Sequence, residues 1–139
     1  MQTADQISRI LNSTITSYSD CDSIIREGIP WESVSSVKVE LHLTDEELAG
    51  ILDMNPRTLS RLRCSKKSLS TSAGDRLFRL IRIYALAREV FENKDGARDW
   101  LHKPQVGLGS RIPLDFIRTE AGAREVEDLL GRIEHGVIS

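Results

Sequence analysis

An all-α fold is what the sequence predicts, on three observations. Two helix-start signals stand close together at Thr44 and at Asn55-Pro56, apolar residues elsewhere recur at intervals of three and four, and the length suits one ordinary domain or two small lobes sharing a core. The chain divides into an N-terminal extension over residues 1–18, a helix-turn-helix domain over 19–70 and a small helical domain over 71–139. Residues 1–18 are rich in Ser and Thr, and Ile7, Ile10 and Leu11 are spaced for a short amphipathic helix that packs on this chain or on a second copy. Ile24, Ile25 and Ile29 surround a hinge-like Gly28, and Pro30 opens a helix through Trp31, Val34, Val37 and Leu41. Val37, Val39, Leu41 and Leu43 also alternate with Lys38, Glu40 and His42 as a half-buried strand would; helix is the reading kept.

Thr44-Asp45-Glu46-Glu47 reads as a capping box, with the Thr44 hydroxyl accepting from the Glu47 N–H and the Glu47 carboxylate reaching back. Leu48, Ala49, Ile51 and Leu52 follow at helical spacing. Asp53 tolerates the left-handed backbone of a helix exit, so the chain turns at Asp53-Met54. Asn55 then caps a second helix with Pro56 at its first position, running to about Arg63. Leu59 and Leu62 share its inner face and leave Arg57, Thr58, Ser60 and Arg61 outside. Two short helices, a tight turn and a small Ala49 at their close approach make a helix-turn-helix. Its second helix places Arg57 or Arg61 at guanine edges and Thr58 or Ser60 at bases or phosphates, while Lys66 and Lys67 suit phosphates. Arg63 either joins them or pairs with a nearby acid.

Ser70 starts a long helix over about Thr71 to Phe91, with Leu77, Leu80, Ile81, Tyr84, Ala85 and Ala87 at helical intervals and Asp75 set to pair with Arg79 one turn on. A further helix after Asn93 carries Ala97, Trp100 and Leu101 and ends before Pro104. The Gly107-Leu108-Gly109 loop and a turn at Pro113 with Leu114, Phe116 and Ile117 come next. The last helix, about Ala121 to Glu134, carries Val126, Leu129, Leu130 and Ile133 and stops at Gly136.

Charge is unevenly distributed. Residues 1–53 hold ten acids against three bases (−7), residues 54–91 nine bases against two acids (+7), and residues 92–139 seven bases against nine acids (−2). No acid lies between Asp53 and Asp75, where Arg57, Arg61, Arg63, Lys66 and Lys67 cluster, and such a cation excess suits a polyanion.

Several functions are excluded by the same reading. No apolar run exceeds the five residues 83–87, against the roughly 20 of a membrane-spanning helix, and the residues from Met1 to Leu11 do not read as a secretory signal, so a cytoplasmic protein is expected. Cys21 and Cys64 have no C-x-x-C spacing and read as reduced thiols. His42, His102 and His135 are too scattered for a metal site. No Ser-His-Asp or G-x-S-x-G pattern and no glycine-rich nucleotide loop is present, and capping accounts for Glu46-Glu47. No catalytic residue, metal or cofactor is therefore assigned.

The order of motifs resembles the Xre/ParS-type antitoxins, whose carboxyl-terminal half is a toxin-binding domain. The resemblance rests on Arg26-Glu27-Gly28-Ile29-Pro30, Leu48-Ala49, Arg57-Thr58-Leu59-Ser60-Arg61, Asp75-Arg76-Leu77-Phe78-Arg79-Leu80, Ala97 with Trp100-Leu101 and Pro104, Leu108-Gly109 with Pro113-Leu114-Asp115, and Gly122 with Leu130 through Val137. Asp53 stands where Gly is usual in the turn, and Ser110-Arg111 replaces a second Gly. The resemblance implies an Xre-like DNA-binding domain before a helical toxin-binding domain, no enzymatic activity, and operator binding that represses a toxin–antitoxin operon. It also implies capture of a RES-domain toxin that consumes NAD, and a homodimer within a larger complex. In that reading Arg124, Glu125, Asp128, Arg132, Glu134, His135, Gly136, Val137, Ile138 and Ser139 plug the toxin's cofactor entrance. The Ser139 carboxylate and nearby acids would there engage cations that otherwise hold a pyrophosphate. Two other classes remain: a stand-alone regulator or partition-type DNA-binding protein, and an adaptor whose basic helix binds an acidic protein.

Overall fold

The computed structural model describes residues 2–11 and 15–136, with residues 2–4 as backbone alone. Nine α-helices follow in order among them: α1 (Gln2–Leu11), α2 (Tyr18–Glu27), α3 (Trp31–Glu40), α4 (Asp45–Ile51), α5 (Pro56–Ser65), α6 (Thr71–Phe91), α7 (Lys94–His102), α8 (Pro113–Phe116) and α9 (Glu120–Glu134). No strand forms among the described residues; the one β-bridge joins Gln105 to Arg111 across a loop. Side-chain caps open most of the helices, including Ser17 for α2, Ser70 for α6, Asn93 for α7 and Thr119 for α9.

The central element is α6, which packs against α1, α2, α4, α7 and α9. It buries Leu77, Leu80, Ile81, Ile83, Tyr84, Ala85 and Ala87 completely, on more than one face, because helices surround it. The N-terminal helix settles on its own chain: Ile7, Ile10 and Leu11 are buried where α1 meets α6 and α3. Residues 31–40 are helical, as kept; Val34 and Val37 are buried and Val39 is left in solvent, which a strand with Val37, Val39 and Leu41 on one face would not do. Val126, Leu129 and Leu130 of α9 close the core against α6. At the start of α9, a Cβ on Gly122 would stand 1.7 Å from the Phe116 carbonyl oxygen, so only glycine lets α9 meet the end of α8.

The front and back halves are joined by polar contacts on the carboxyl end of α3. Arg98 of α7 donates to the Glu40 carbonyl at 3.1 Å, and His102 Nε2 lies 2.9 Å from the Leu41 carbonyl. Side chains from one half thus meet carbonyls that a helix end leaves open. The Glu40 carboxylate accepts from the Tyr84 hydroxyl at 2.7 Å and from Arg88 at 3.5 Å. Burial of Tyr84, then its contact with Glu40, pushes the phenol up to about 12. A second join is closer to the front motif: the Arg118 guanidinium lies over Gly50 of α4, within 2.6 Å of where a Cβ would be.

Candidate nucleic-acid interface and carboxyl-terminal face

Both capping-box bonds of α4 are present, Glu47 N–H to the Thr44 hydroxyl at 3.1 Å and Thr44 N–H to the Glu47 carboxylate at 2.8 Å. Glu46, by contrast, is exposed and takes no part in the cap, which corrects the assignment of both acids to capping; the box geometry uses only the residue three after the cap. Asp53 has φ +58°, with its N–H bonded to the Gly50 carbonyl at 3.2 Å and the Met54 N–H to the Ala49 carbonyl at 2.9 Å. That pair of bonds is the Schellman closure in which glycine is commonest, formed here on an aspartate. The turn leads into α5, where the side-chain Oδ1 of Asn55 accepts from the Thr58 N–H at 2.8 Å and from the Thr58 hydroxyl at 3.1 Å. The helix runs two residues past Arg63 to Ser65, closed by Lys66 in the left-handed region at φ +54°.

Leu59 is fully buried, and Arg57, Ser60, Arg61, Lys66 and Lys67 are exposed, with Thr58 half-buried. Among the described residues none of Arg57, Arg61, Lys66 and Lys67 pairs with an acid. The other five cations of residues 54–91 all do. Arg63 bonds Asp45 at 2.8 Å and lies 5.8 Å from the centre of the Trp31 ring. Its hydrogen bond holds the Asp45 carboxyl below the usual carboxylate range, with Lys38 adding to the effect at 3.4 Å. Arg76 meets Asp53 at 3.7 Å, Arg82 meets Glu127 at 2.8 Å and Arg88 meets Glu40. Arg79 turns to Glu120 at 3.2 Å and to the carbonyls of Ile117 and Arg118, not to Asp75. The i,i+4 pair read from the sequence yields to a partner brought up by α9, which also offers two carbonyls in a half-enclosed setting. The basic island thus contracts to four free cations, all in or just after α5.

In the back half, Arg124, Glu125, Asp128, Glu134, His135 and Gly136 lie along the exposed side of α9 and its end, and Arg132 is half-buried. Arg124 bonds Glu120 at 2.9 Å. Val137, Ile138 and Ser139 lie outside the described residues. Cys21 is buried and Cys64 exposed, and neither is in a disulfide. Among the described residues no group of three or more His, Cys, Asp or Glu side chains could hold a metal ion, and no helix is long and apolar enough to cross a membrane.

Two family models match the chain: the antitoxin Xre-like helix-turn-helix domain over residues 22–82, and the antitoxin Xre/MbcA/ParS C-terminal toxin-binding domain over residues 86–136. Both matches reach into α6. A protein named Antitoxin Xre from Photorhabdus laumondii is 34% identical over 120 residues, 85% of this chain and 80% of that relative. One of the same name from Yersinia enterocolitica is 32% identical over 116 residues, 83% and 78%. A third, from Pseudomonas putida, is 34% identical over 80 residues, 58% and 50%. With the capped helix-turn-helix, its free cations and a helical domain behind it, this chain belongs to the Xre antitoxin family: it is the antitoxin of a toxin–antitoxin pair, with a helix-turn-helix that binds DNA and a domain that binds a toxin.

Proposed function

We propose that the chain neutralises a RES-domain toxin that consumes NAD, by covering that enzyme's cofactor entrance, and that it represses its own operon through operator DNA, acting as a homodimer in the larger toxin–antitoxin assembly. The observation that carries the DNA half is the set of four free cations on and beside α5. Arg57 and Arg61 stand one turn apart for guanine edges, Ser60 and the methyl side of Thr58 lie between them, and Lys66 and Lys67 follow for phosphates. The Thr58 hydroxyl gives its hydrogen to Asn55, so Thr58 offers DNA a methyl group and lone pairs.

For the toxin half, the outer side of α9 supplies Arg124, Glu125, Asp128, Arg132 and Glu134, continued by His135, Gly136 and the tail of Val137, Ile138 and Ser139. Carboxylates there match the donors that bind a dinucleotide's pyrophosphate, because a guanidinium holds carboxylate and phosphate oxygens with the same fork. The test is neutralisation of the toxin encoded beside this chain, followed as NAD consumption, by the full chain and by a chain lacking Val137 to Ser139. The shortened chain should still bind the toxin yet leave NAD turnover measurably restored. Full protection by the shortened chain refutes tail occlusion, and a partner that does not consume NAD refutes the RES assignment.

A further inference from the structure

Within residues 86–136 nearly every large apolar side chain turns inward: Leu101, Leu108, Leu114, Ile117, Leu129 and Leu130 are each no more than 4% exposed. Val106 is the exception. It is 83% exposed, the only large exposed apolar side chain of this stretch among the described residues. It sits on a loop that is held firmly. Gln105 N–H bonds the Arg111 carbonyl at 3.0 Å, the Gln105 carbonyl accepts from Leu108 at 3.0 Å and Ser110 at 2.9 Å, and the Gln105 side chain donates to the Trp100 carbonyl at 3.0 Å. Gly109 and Ser110 are both left-handed, at φ +65° and +64°; for a serine that backbone is strained, and such strain persists only where its surroundings impose it. Beside the loop is a groove of about 470 Å³ lined by Pro104, Arg111, Ile112 and Phe116 among others, with the Arg111 guanidinium 4.6 Å from the centre of the Phe116 ring.

Arg98, His102 and Arg118 meet the front half, the inner side of α9 packs on α6, and the outer side of α9 is charged. A stable protein interface needs an apolar centre, and Arg and aromatic side chains are enriched there. Lys103 and Arg111 have no acid partner among the described residues, whereas Asp115 is met by Arg118 at 3.7 Å, so the patch is apolar with a positive rim.

We propose that Val106 and the Arg111–Phe116 stack anchor the body of the toxin, through a toxin surface that presents apolar side chains beside carboxylates, at a site separate from the outer side of α9. This rests on the toxin–antitoxin reading above. Val106→Ser, Arg111→Ala and the double variant, all at exposed positions, are compared with the full unaltered chain for affinity to the toxin encoded beside it, for thermal stability and for DNA binding. Val39→Ser, at another exposed valine, on α3 and outside the toxin-binding match, is the control. Each single change should weaken toxin binding about tenfold and the pair about a hundredfold, with melting temperature, DNA affinity and the Val39 variant unchanged. Toxin capture by the unaltered chain together with undiminished capture by the double variant, or an equal loss at Val39, overturns the anchor and leaves the antitoxin reading standing. No capture by the unaltered chain overturns both.

Discussion

Salt titration of DNA binding offers a quantitative check on which cations face the duplex. Each phosphate neutralised by a lysine or arginine releases counterions, giving a slope of about −0.9 per contact in log K against log salt. Four free cations, Arg57, Arg61, Lys66 and Lys67, therefore set a slope of about −3.6 per bound copy if all reach the backbone or its immediate field. Between 50 and 200 mM salt that is about a 150-fold loss of affinity for one copy. Lys66→Ala with Lys67→Ala removes the two cations placed at phosphates, halves the slope to about −1.8, and cuts the loss to about 12-fold. Arg63→Ala serves as the counter-test: its charge is already held by Asp45 at 2.8 Å, so its removal should leave the slope close to that of the unaltered chain. Fluorescence anisotropy on a labelled duplex selected by the protein from a random library gives these slopes directly. An unchanged slope in the Lys66/Lys67 double variant, or an equal reduction in the Arg63 variant, would refute the assignment of the four cations.

Two further outcomes follow from the packing. The Tyr84 phenol keeps its proton to about pH 12 in the folded chain, whereas an unfolded tyrosine releases it near 10, so its contribution to stability is fully present below pH 10 and is lost as pH rises to 12, by about 2–3 kcal/mol. Urea unfolding of the unaltered chain and of Tyr84→Phe across pH 9–12 should show this extra alkaline loss only in the former; parallel curves would contradict it. Gly122→Ala drives a methyl group into the Phe116 carbonyl and should cost at least about 3 kcal/mol, read as a drop in melting temperature, since the obstacle is backbone and not a movable side chain; a loss under about 1 kcal/mol would mean that α8 yields.

Local chemistry was legible in the sequence wherever it acts over one turn. The capping box at Thr44, the Asn55-Pro56 start, the left-handed Asp53 and the Ser70 cap all involve residues within four positions, and each formed as read. The apolar spacing of α6 and α9 placed their core sides correctly because a helix repeats every 3.6 residues whatever its neighbours do. The alternating stretch from Val37 to Leu43 was ambiguous for the same reason: periodicity over seven residues fits either element, and the exposed Val39 decides it only once α3 is packed. The Asn93 and Thr119 caps obey the same rule as those read, and attention to the Asn and Thr before Lys94 and Glu120 would have found them.

Ion pairing across the fold was not legible, and it changes the functional reading most. Counting charge along the chain gives +7 to residues 54–91, yet five of those nine cations are paired in the fold. Arg79 and Arg82 reach acids 41 and 45 positions away, and Arg88 one 48 positions back, distances at which no periodicity carries information. The paired cations of α6 tie the two halves together; the unpaired ones lie together at α5, where a polyanion can still lower their free energy. The same separation of roles explains Arg98 and His102, whose donors close the end of α3 from the back half. A toxin gripping the back half and a duplex gripping α5 therefore act on one continuous core through α6, and a change that loosens those ties should weaken both activities, whereas loss of a free α5 cation should weaken only the grip on DNA.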